Sequence, residues 1–402
     1  MFRFTITSEI QAAVARIEAL RAEADRRGPL PRVWLGRTRR DLEAEATAAS
    51  VRLEGVSVTA DEARRILVGD KPAEVSGADA AEVIGYRNAM ALVLSRADDP
   101  AFVWQRELLL AIHREVLGGS FAAEAGRLRT GQNWLTNRAT GAQVFLPPSP
   151  GDVPPFLDAL CDHLARSDTP APVASALAHV GVASIHPFRD GNGRTARIVA
   201  SLVMYRGGYR APQFTSLEEW WGRHPAEYYA AFDCLGDSFD PETDVTPFVA
   251  AHVSAQAAQA EALLLRDATE RSIWTLLEDV AVHDLRLNAR VTHALYDALF
   301  GRQVTNRYYR SMAGVSDVTA VQDLAKLVAA GFLEPRGGGR TAHYVGTERL
   351  LDAVAAEADV PALALPSGDF CDRGNALIVR LAARLQGGEV REDSVPYCTR
   401  RG

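Results

Sequence analysis

The stretch "SIHPFRDGNGRTAR", residues 184–197, gathers a histidine, an aspartate, two glycines and several arginines at one point of the chain. Apolar residues at helical spacing lead into it: Val173, Leu177, Val180 and Ile185. This stripe predicts a helix over 172–185 that Pro187 stops, so His186 is expected at a helix end. A second helix is expected to begin near Arg194. The tetrapeptide "DGNG" is then the turn between two consecutive helices.

That turn has the composition of a phosphate-binding loop. Gly191 and Gly193 let the backbone approach a ligand closely, and Asn192 tolerates left-handed dihedral angles while its amide can donate a hydrogen bond. Backbone N–H groups converge at the positive end of the following helix. Arg194 and Arg197 share one helix face and can clamp further phosphate oxygens. The pattern predicts binding of a phosphorylated ligand.

Two further side chains of the stretch suit a reaction rather than binding alone. Asp190 is a hard oxygen ligand, and Mg²⁺ is commonly held by one carboxylate together with substrate phosphates. His186, with an ordinary pKa near 6.5, can take a proton from an attacking hydroxyl. The sequence therefore predicts a metal-assisted reaction at a phosphate.

The string matches HxFx(D/E)GNGRxxR, the signature of the Fic domain, at every specified position. Proteins that carry it are mostly helical and typically transfer AMP from ATP to a hydroxyl side chain of a target protein. The resemblance implies these roles: His186 as the base, Phe188 as a buried anchor, Asp190 as the Mg²⁺ ligand, residues 191–193 as the phosphate nest, and Arg194 and Arg197 as phosphate clamps.

A second resemblance lies upstream, in "SVRLEG", residues 50–55, which is similar to the (S/T)xxxE(G/N) inhibitory motif of many Fic proteins. The stretch 41–54 predicts a short amphipathic helix that Gly55 ends with a positive φ. Ser50 and Glu54 share a face of that helix, so Glu54 can pair with Arg197 and deny it to the γ-phosphate of ATP. Removal of AMP, with Glu54 placing a water, stays open.

Two more segments resemble parts of Fic proteins. Residues 126–148 predict a short β-hairpin, similar to the flap that docks the target protein, with Val144 and Phe145 either docking residues or core residues. Leu135, Thr136 and Asn137 stand where relatives often have Ile-Gly-Gly. In "HPAEYYAAF", residues 224–232, Tyr228 or Tyr229 either contacts adenosine or belongs to the core.

Residues 265–350 predict a different module, with three helices and a terminal hairpin, as in a winged helix-turn-helix. Its recognition helix is expected from the N-cap Ser316 to Gly331. The segment 301–345 carries six basic and three acidic residues, a net charge of +3. This is a modest footprint for DNA. A protein-interaction or structural module is favoured, and a nucleotide-sensing transcription regulator remains the alternative.

The length, charge and cysteine content of the chain exclude several classes of protein. The chain has 402 residues, a formal charge of −7 and a pI near 5.8, which gives no general attraction to nucleic acid or anionic membranes. No apolar run of membrane-spanning length or export signal is evident, so we expect a cytoplasmic protein. Four scattered cysteines disfavour a disulfide framework and a zinc site.

The expected organisation is a mainly α chain in four parts. These are a helical region with the inhibitory helix (1–75), a Fic-type core with a hairpin flap (76–264), a winged-helix module (265–350) and a tail (351–402). The expected ligands and partners are ATP, Mg²⁺ and a protein substrate. The chain itself can be that substrate, and a homodimer is also left open. The other function open to this fold is transfer of a different group.

Overall fold

The computed structural model describes residues 2–26, 32–118, 124–136, 141–166, 168–211, 214 and 217–357. Its helices, in chain order, are α1 (Ser8–Arg26), α2 (Arg32–Leu53), α3 (Ala60–Leu67), α4 (Gly77–Ala97), α5 (Arg106–Val116), α6 (Val153–Arg166), α7 (Ala171–Ile185), α8 (Asn192–Arg206), α9 (Leu217–Arg223), α10 (Pro225–Ala230), α11 (Thr246–Asp279), α12 (Thr292–Leu299), α13 (Asn306–Ala313), α14 (Asp317–Ala329) and α15 (Glu348–Glu357). The strands form two antiparallel pairs, β1 (Leu135–Thr136) with β2 (Gln143–Phe145) and β3 (Leu333–Arg336) with β4 (His343–Gly346). The predicted mainly α class with short hairpins is confirmed. Among the described helices, none is long and apolar enough to cross a membrane.

The described residues divide into two units, residues 2–58 with 76–261, and residues 59–75 with 262–357. The sequence placed a boundary after residue 75, whereas α3 belongs to the second unit. Contacts within that unit explain the difference. The guanidinium of Arg65 donates to Gln303 Oε1 at 2.9 Å, and the Thr305 hydroxyl donates to Asp70 Oδ2 at 3.4 Å. Hydrogen bonds between residues so far apart cannot be predicted from the spacing of apolar residues along the chain.

Helix α7 lies at the centre of the first unit. The four apolar residues that predict it are all buried, each 2% exposed or less. Its neighbours α4, α5, α6 and α8 share one apolar core with it. At Gly181 a Cβ would meet the side chain of Leu160, so the small residue permits close packing of α6 on α7. Because α7 and α8 both pack in this core, the turn that joins them is held at its two ends.

Helix α2 is longer than the sequence predicts, because it begins at Arg32 rather than Asp41. The prediction began at Asp41 because the amphipathic stripe starts only at Leu42. It ends at Leu53, and Gly55 has the expected positive φ, 91°. The C-terminal end of α2 and the N-terminal end of α8 both belong to the first unit, although they are far apart in the sequence.

The second unit has the expected order of three helices and a hairpin. Ser316 caps α14, since its hydroxyl accepts a hydrogen bond from the Thr319 N–H, and Gly331 has φ 78° after the helix. Residue Val304 adds a bridge to Tyr344 beside the hairpin. Helix α15 was not predicted and begins before the predicted tail. The rest of that tail, residues 358–402, lies outside the described residues.

Candidate active site

His186 caps the C-terminus of α7 in a left-handed conformation, with φ 49°. Its N–H donates to the Val182 carbonyl at 3.1 Å, and its Nδ1 lies 3.2 Å from the Ala183 carbonyl oxygen. Because a carbonyl only accepts, Nδ1 carries the proton in the neutral ring. The other nitrogen, Nε2, then keeps its lone pair, which is what a base requires.

The surroundings of His186 keep the imidazole neutral. Burial is the main cause that lowers its pKa, to about 4, and the nearby Arg129 guanidinium lowers it further against the opposing effects of Ala183, Glu54 and Asp190. At pH 7 the ring is therefore unprotonated at Nε2 and ready to accept a proton.

The turn after His186 is tighter than predicted, because α8 begins at Asn192 rather than near Arg194. Gly191 is the N-cap with φ 75°, and Asp190 Oδ1 accepts the Gly191 N–H at 2.7 Å. The backbone N–H groups of Asn192 and Gly193 thus belong to the first helical turn, where such groups have no partner inside the helix. They are available to an anion at the helix end.

The side chain of Asn192 has a different task from the one the sequence suggested. It is buried, its Oδ1 accepts the Phe188 N–H at 2.9 Å, and its Nδ2 donates to the Phe188 carbonyl at 2.9 Å. Both ends of the amide are thereby engaged with the backbone of the loop. Asn192 holds the loop in shape, and only its backbone N–H is left for phosphate.

His113, on α5, supports the loop from the other side and was not found from the sequence. Its ring stacks on Phe188 with centroids 3.7 Å apart and an angle of 6° between the planes. The Gly126 N–H donates to Nδ1 at 3.0 Å, so Nε2 carries the proton and donates to the Asp190 carbonyl at 2.9 Å. Burial lowers the pKa of His113 to about 4 and keeps this neutral form.

Two residues of the flap segment also hold the loop. Arg129 is 4% exposed, its Nε donates to the His186 carbonyl at 2.8 Å, and its N–H donates to the Pro187 carbonyl at 2.9 Å. Asn133 Nδ2 donates to the Phe188 carbonyl at 2.9 Å. These contacts join residues more than fifty positions apart, so no spacing rule reveals them. They fix the carbonyl side of the His186 turn.

Arg197 is the most fully bonded side chain of the site. Its Nε donates to Ser50 Oγ at 3.0 Å, and one terminal nitrogen donates to the Ser50 carbonyl at 3.0 Å and to Glu54 Oε1 at 2.8 Å. The other terminal nitrogen donates to the Tyr228 hydroxyl at 3.1 Å. The expected contact of Glu54 with Arg197 is present in the structure, and the bonds from Arg197 to Ser50 were not predicted. In this arrangement the guanidinium has no free edge for phosphate.

Glu54 also occupies the space above the start of α8. A Cβ built on Gly193 would collide with Glu54 Oε1. The glycine therefore lets the carboxylate lie directly over the backbone of the first helical turn. Glu54 covers both the arginine and part of the helix end that an anion would use.

Arg194 faces a carboxylate that the sequence did not single out. The guanidinium, 3% exposed, forms an ion pair with Glu82 on α4, and it lies 3.6 Å from Asp190 Oδ1. Burial lowers the pKa of Arg194. Asp190 itself has a side chain that is 64% exposed. Its carboxylate is open to solvent beside the loop.

The two tyrosines proposed as adenosine contacts, Tyr228 and Tyr229, differ in their exposure. Tyr228 is 5% exposed, bonded to Arg197, and its hydroxyl lies 3.1 Å from His179 Nε2, so it is a core residue of the site and not a stacking surface. Tyr229 is 54% exposed, and its hydroxyl donates to the Leu53 carbonyl at 3.0 Å. Of the pair, only Tyr229 presents a ring face to a ligand.

The predicted hairpin is present, with Leu135 opposite Phe145 in an irregular register. Val144 is 48% exposed, whereas Phe145 is 6% exposed and packs inward, so only Val144 is accessible for docking. Trp134, which the sequence did not single out, adds a second exposed apolar side chain, 52% exposed. Asn137 and Thr140 of the predicted turn lie outside the described residues.

In the second unit, α14 differs from a basic recognition helix. Asp323 is buried, accepts from Arg290 Nε at 2.7 Å and from the Tyr309 hydroxyl at 2.9 Å, and so faces inward. The outward face includes Val318 and Val321, which are 66% and 51% exposed. An outward face with exposed valines carries little charge for reading DNA.

Comparison with known proteins agrees with the site. Residues 104–204 match the Fic/DOC family model, so this part of the chain is a Fic domain. The protein adenylyltransferase fic-1 of Caenorhabditis elegans is 36% identical over 39% of this chain, and the protein adenylyltransferase Fic of Nematostella vectensis is 34% identical over 32% of it. The chain spans 29% of the length of each of these two relatives.

Solved structures extend the likeness to most of the fold. A Fic family protein from Desulfovibrio desulfuricans superimposes with a TM-score of 0.56 at 23% identity, covering 85% of this chain and 97% of that one. Fic-1 from C. elegans superimposes with a TM-score of 0.51 at 25% identity, covering 64% of this chain and 71% of that one. The overall architecture is therefore that of Fic-fold proteins.

Proposed function

We propose that this chain is a protein adenylyltransferase that transfers AMP from ATP to a hydroxyl side chain of a protein and is inhibited by its own Glu54. The hydroxyl oxygen bonds to the α-phosphorus, the bond from that phosphorus to the bridging oxygen breaks, and pyrophosphate leaves. The observation that carries the proposal is a neutral His186 with a free Nε2, beside a helix end built for phosphate. The names of the relatives support the same reaction.

His186 takes the proton of the attacking hydroxyl at Nε2. The Ala183 carbonyl holds the opposite nitrogen and so sets the tautomer, while Arg129 holds the backbone of the turn. A lowered pKa makes His186 a weaker base but keeps nearly all of it unprotonated at neutral pH. Transfer is expected to fall only as the pH drops toward about 4.

The phosphate chain is assigned to the α8 N-terminus and its arginines. Negative charge grows on the α-phosphate oxygens and the departing pyrophosphate, so N–H groups of residues 192 and 193 and the guanidinium groups stabilise the transition state. Arg194 and Arg197 can bind the phosphates once the carboxylates of Glu82 and Glu54 move away from the guanidinium groups. The buried guanidinium groups are oriented in advance, which keeps reorganisation small.

Asp190 fits Mg²⁺ held largely by substrate. Its carboxylate is 64% exposed at the mouth of the loop, and Mg²⁺ is commonly held by one carboxylate together with the phosphate oxygens of a substrate. A bound Mg²⁺ would neutralise phosphate charge during transfer. Asp190 is the residue proposed to hold it.

Inhibition is assigned to the contact of Glu54 with Arg197. The pair lies 2.8 Å apart with Arg197 3% exposed, and Ser50 adds two acceptors that hold the guanidinium in this place. ATP that binds here lacks one of its clamps and is held unproductively. Removal of Glu54 is proposed to free Arg197 for phosphate.

The target protein is proposed to dock on the hairpin flap. Val144 and Trp134 give this flap an exposed apolar surface, and main-chain pairing with an extended segment of the target is a known mode of binding to such an edge. The chain itself is included among the targets. The second unit is proposed to bind protein rather than DNA, because α14 presents exposed valines. A homodimer and a cytoplasmic location stay predictions from the sequence.

The test is His186→Ala in a Glu54→Gly background, with His343→Ala in the second unit as the control. Loss of the base should abolish AMP transfer and leave ATP binding nearly unchanged, because His186 is assigned no phosphate contact. Label transfer from α-labelled ATP and calorimetric ATP binding measure the two effects. Normal transfer by the His186 variant would disprove the assigned base.

A further inference from the structure

A polar cavity lies inside the first unit next to Arg197. It is lined by side chains from four helices, among them Ser175, Glu218, Trp221, His252 and Gln256. Its interior has room for about one water-sized molecule. A cavity of this size in a polar setting raises the question of what fills it.

Four buried polar atoms of the lining have no hydrogen-bond partner among the residues that the structure describes: Glu218 Oε2, Trp221 Nε1, His252 Nδ1 and Gln256 Oε1. The four side chains are between 0% and 3% exposed. A buried polar atom without a partner is unfavourable, and four around one cavity are unusual in a folded protein. The cluster indicates a polar occupant that bonds to all four.

Contacts at the far ends of these side chains fix their orientation. Gln256 Nε2 donates to the Phe214 carbonyl at 3.2 Å, which leaves its Oε1 as the free acceptor. Glu218 Oε1 accepts from the Tyr86 hydroxyl at 2.7 Å, which leaves Oε2 free. The free atoms are therefore not products of an arbitrary amide or carboxylate flip.

The same reasoning assigns the proton on His252. The Ser175 hydroxyl donates to the Ala200 carbonyl at 3.0 Å, so its oxygen accepts from His252 Nε2 at 3.4 Å. Burial lowers the pKa of His252 to about 3, and the ring is neutral. Nδ1 is consequently a second acceptor that lacks a partner. Burial also raises the pKa of Glu218, which favours a proton on the free Oε2.

The four atoms then form a matched set. The Trp221 N–H donates, Gln256 Oε1 and His252 Nδ1 accept, and Glu218 Oε2 donates in the protonated form that burial favours. A water molecule offers two protons and two lone pairs and satisfies all four. A cation is disfavoured because the Arg197 guanidinium lines the same cavity, and an anion is disfavoured by the two acceptors.

We propose that this cavity is a binding site for one water molecule, which joins α9 to α11 beside Arg197. The water is a structural component of the fold. Its partner Trp221 also packs with Leu53 and Tyr228, so the site supports the end of α2 next to Glu54. The proposal stands on burial and hydrogen bonding and does not depend on the proposed enzymatic activity.

The first test is a crystal structure of the full chain at a resolution that shows ordered water. We expect one density peak within hydrogen-bond distance of Trp221 Nε1, Glu218 Oε2, His252 Nδ1 and Gln256 Oε1. An empty cavity, a metal ion at the position, or direct pairing of these side chains with each other would overturn the proposal.

A second test uses solution NMR of the full chain with labelled tryptophan. The Trp221 indole proton should show a cross-relaxation peak to long-lived water, in contrast to the exposed Trp134. The Glu218→Gln variant keeps a neutral side chain with a donor and should retain the peak, whereas Glu218→Met should lose it. Absence of the peak in the unchanged chain, or its persistence in Glu218→Met, contradicts the assigned water.

Discussion

Two buried arginines one turn apart on α8 each face a carboxylate from an earlier part of the chain. Arg197 faces Glu54 at the end of α2, and Arg194 faces Glu82 on α4. Each ion pair neutralises a guanidinium that is only 3% exposed. A charge so deeply buried depends on its partner, since the folded chain gives it little access to water.

Substitution of Glu82 should therefore cost stability. Glu82→Gln leaves the buried Arg194 with only the exposed Asp190 as a counter-charge, and we expect the free energy of unfolding to fall by about 1–3 kcal/mol, since Glu82 is itself partly exposed. Chemical denaturation measures the change. Glu107→Gln is the matched control, because that side chain is 65% exposed and 4.0 Å from its arginine. Equal stability losses in both variants would contradict the assigned role.

The residues of the signature could be predicted from the sequence, but their supports could not. His186, Asp190 and Arg197 lie in one short string whose chemistry can be read locally. Glu82 and His113 act on the same loop from other helices, and their contacts depend on how α4 and α5 pack. Periodicity assigns a side chain to a helix face and does not identify its partner across the core.

Among the elements of the first unit, α10 contributes one exposed tyrosine that bonds to the end of α2. The hydroxyl of Tyr229, on α10, donates at 3.0 Å to the carbonyl of Leu53, the residue directly before Glu54. The last carbonyls of a helix lack partners within the helix, so this bond satisfies one of them. The bond also links the backbone next to Glu54 to Tyr229, the candidate adenosine contact.

Tyr229→Phe should weaken that tie without changing Arg197 or His186. A net hydrogen bond of about 1 kcal/mol corresponds to a rise of about fivefold in the population with Glu54 displaced. The rate of label transfer from α-labelled ATP, measured with Glu54 in place, should increase accordingly. Tyr344→Phe, in the second unit, is the control and should have no effect. An unchanged or lower rate in Tyr229→Phe would argue against this link.

Helices α7 and α8 and the hairpin could be predicted because their patterns are local. The start of α8 at Asn192 could not, since the side chain of Asn192 bonds back to Phe188 and extends the helix by two residues. The length of α2 was missed for a related reason. Its apolar stripe begins only at Leu42, so periodicity gave no signal for the residues from Arg32 onward.

At the scale of the whole molecule, buried histidines link stability to pH. Burial, the largest cause in each case, lowers the pKa to about 4 for His113 and His186 and to about 3 for His252. Between pH 6.5 and about 4 the unfolded chain binds protons at these positions while the folded chain does not. The stability that neutral histidines provide is complete above 6.5 and is lost as pH falls.

Denaturant titrations between pH 7 and pH 5 should therefore show a free energy of unfolding that decreases steadily. His113→Gln removes one of the histidines with a lowered pKa and should give a shallower decrease, whatever its effect on stability at pH 7. A flat profile in the unchanged chain, or an identical slope in the variant, is incompatible with these lowered pKa values.

The division into two units could be predicted only in part. The change of pattern near residue 265 indicates a second module, in accord with a boundary at 261/262. The membership of α3 could not be foreseen, because its capping box and amphipathic pattern predict a helix and say nothing about its neighbours. In the folded unit Arg64 pairs with Asp61, and Arg65 contacts Asp70 and Gln303.

The proposed function requires that Glu54 restrain an AMP transferase that is otherwise competent. The most direct measurement compares label incorporated into protein from α-labelled ATP by the unchanged chain, by Glu54→Gly, and by Glu54→Gly combined with His186→Ala. The account predicts a rise of at least about tenfold for Glu54→Gly, because Arg197 becomes free for phosphate, and no transfer by the double variant. Incorporation by Glu54→Gly no greater than that of the unchanged chain would contradict it.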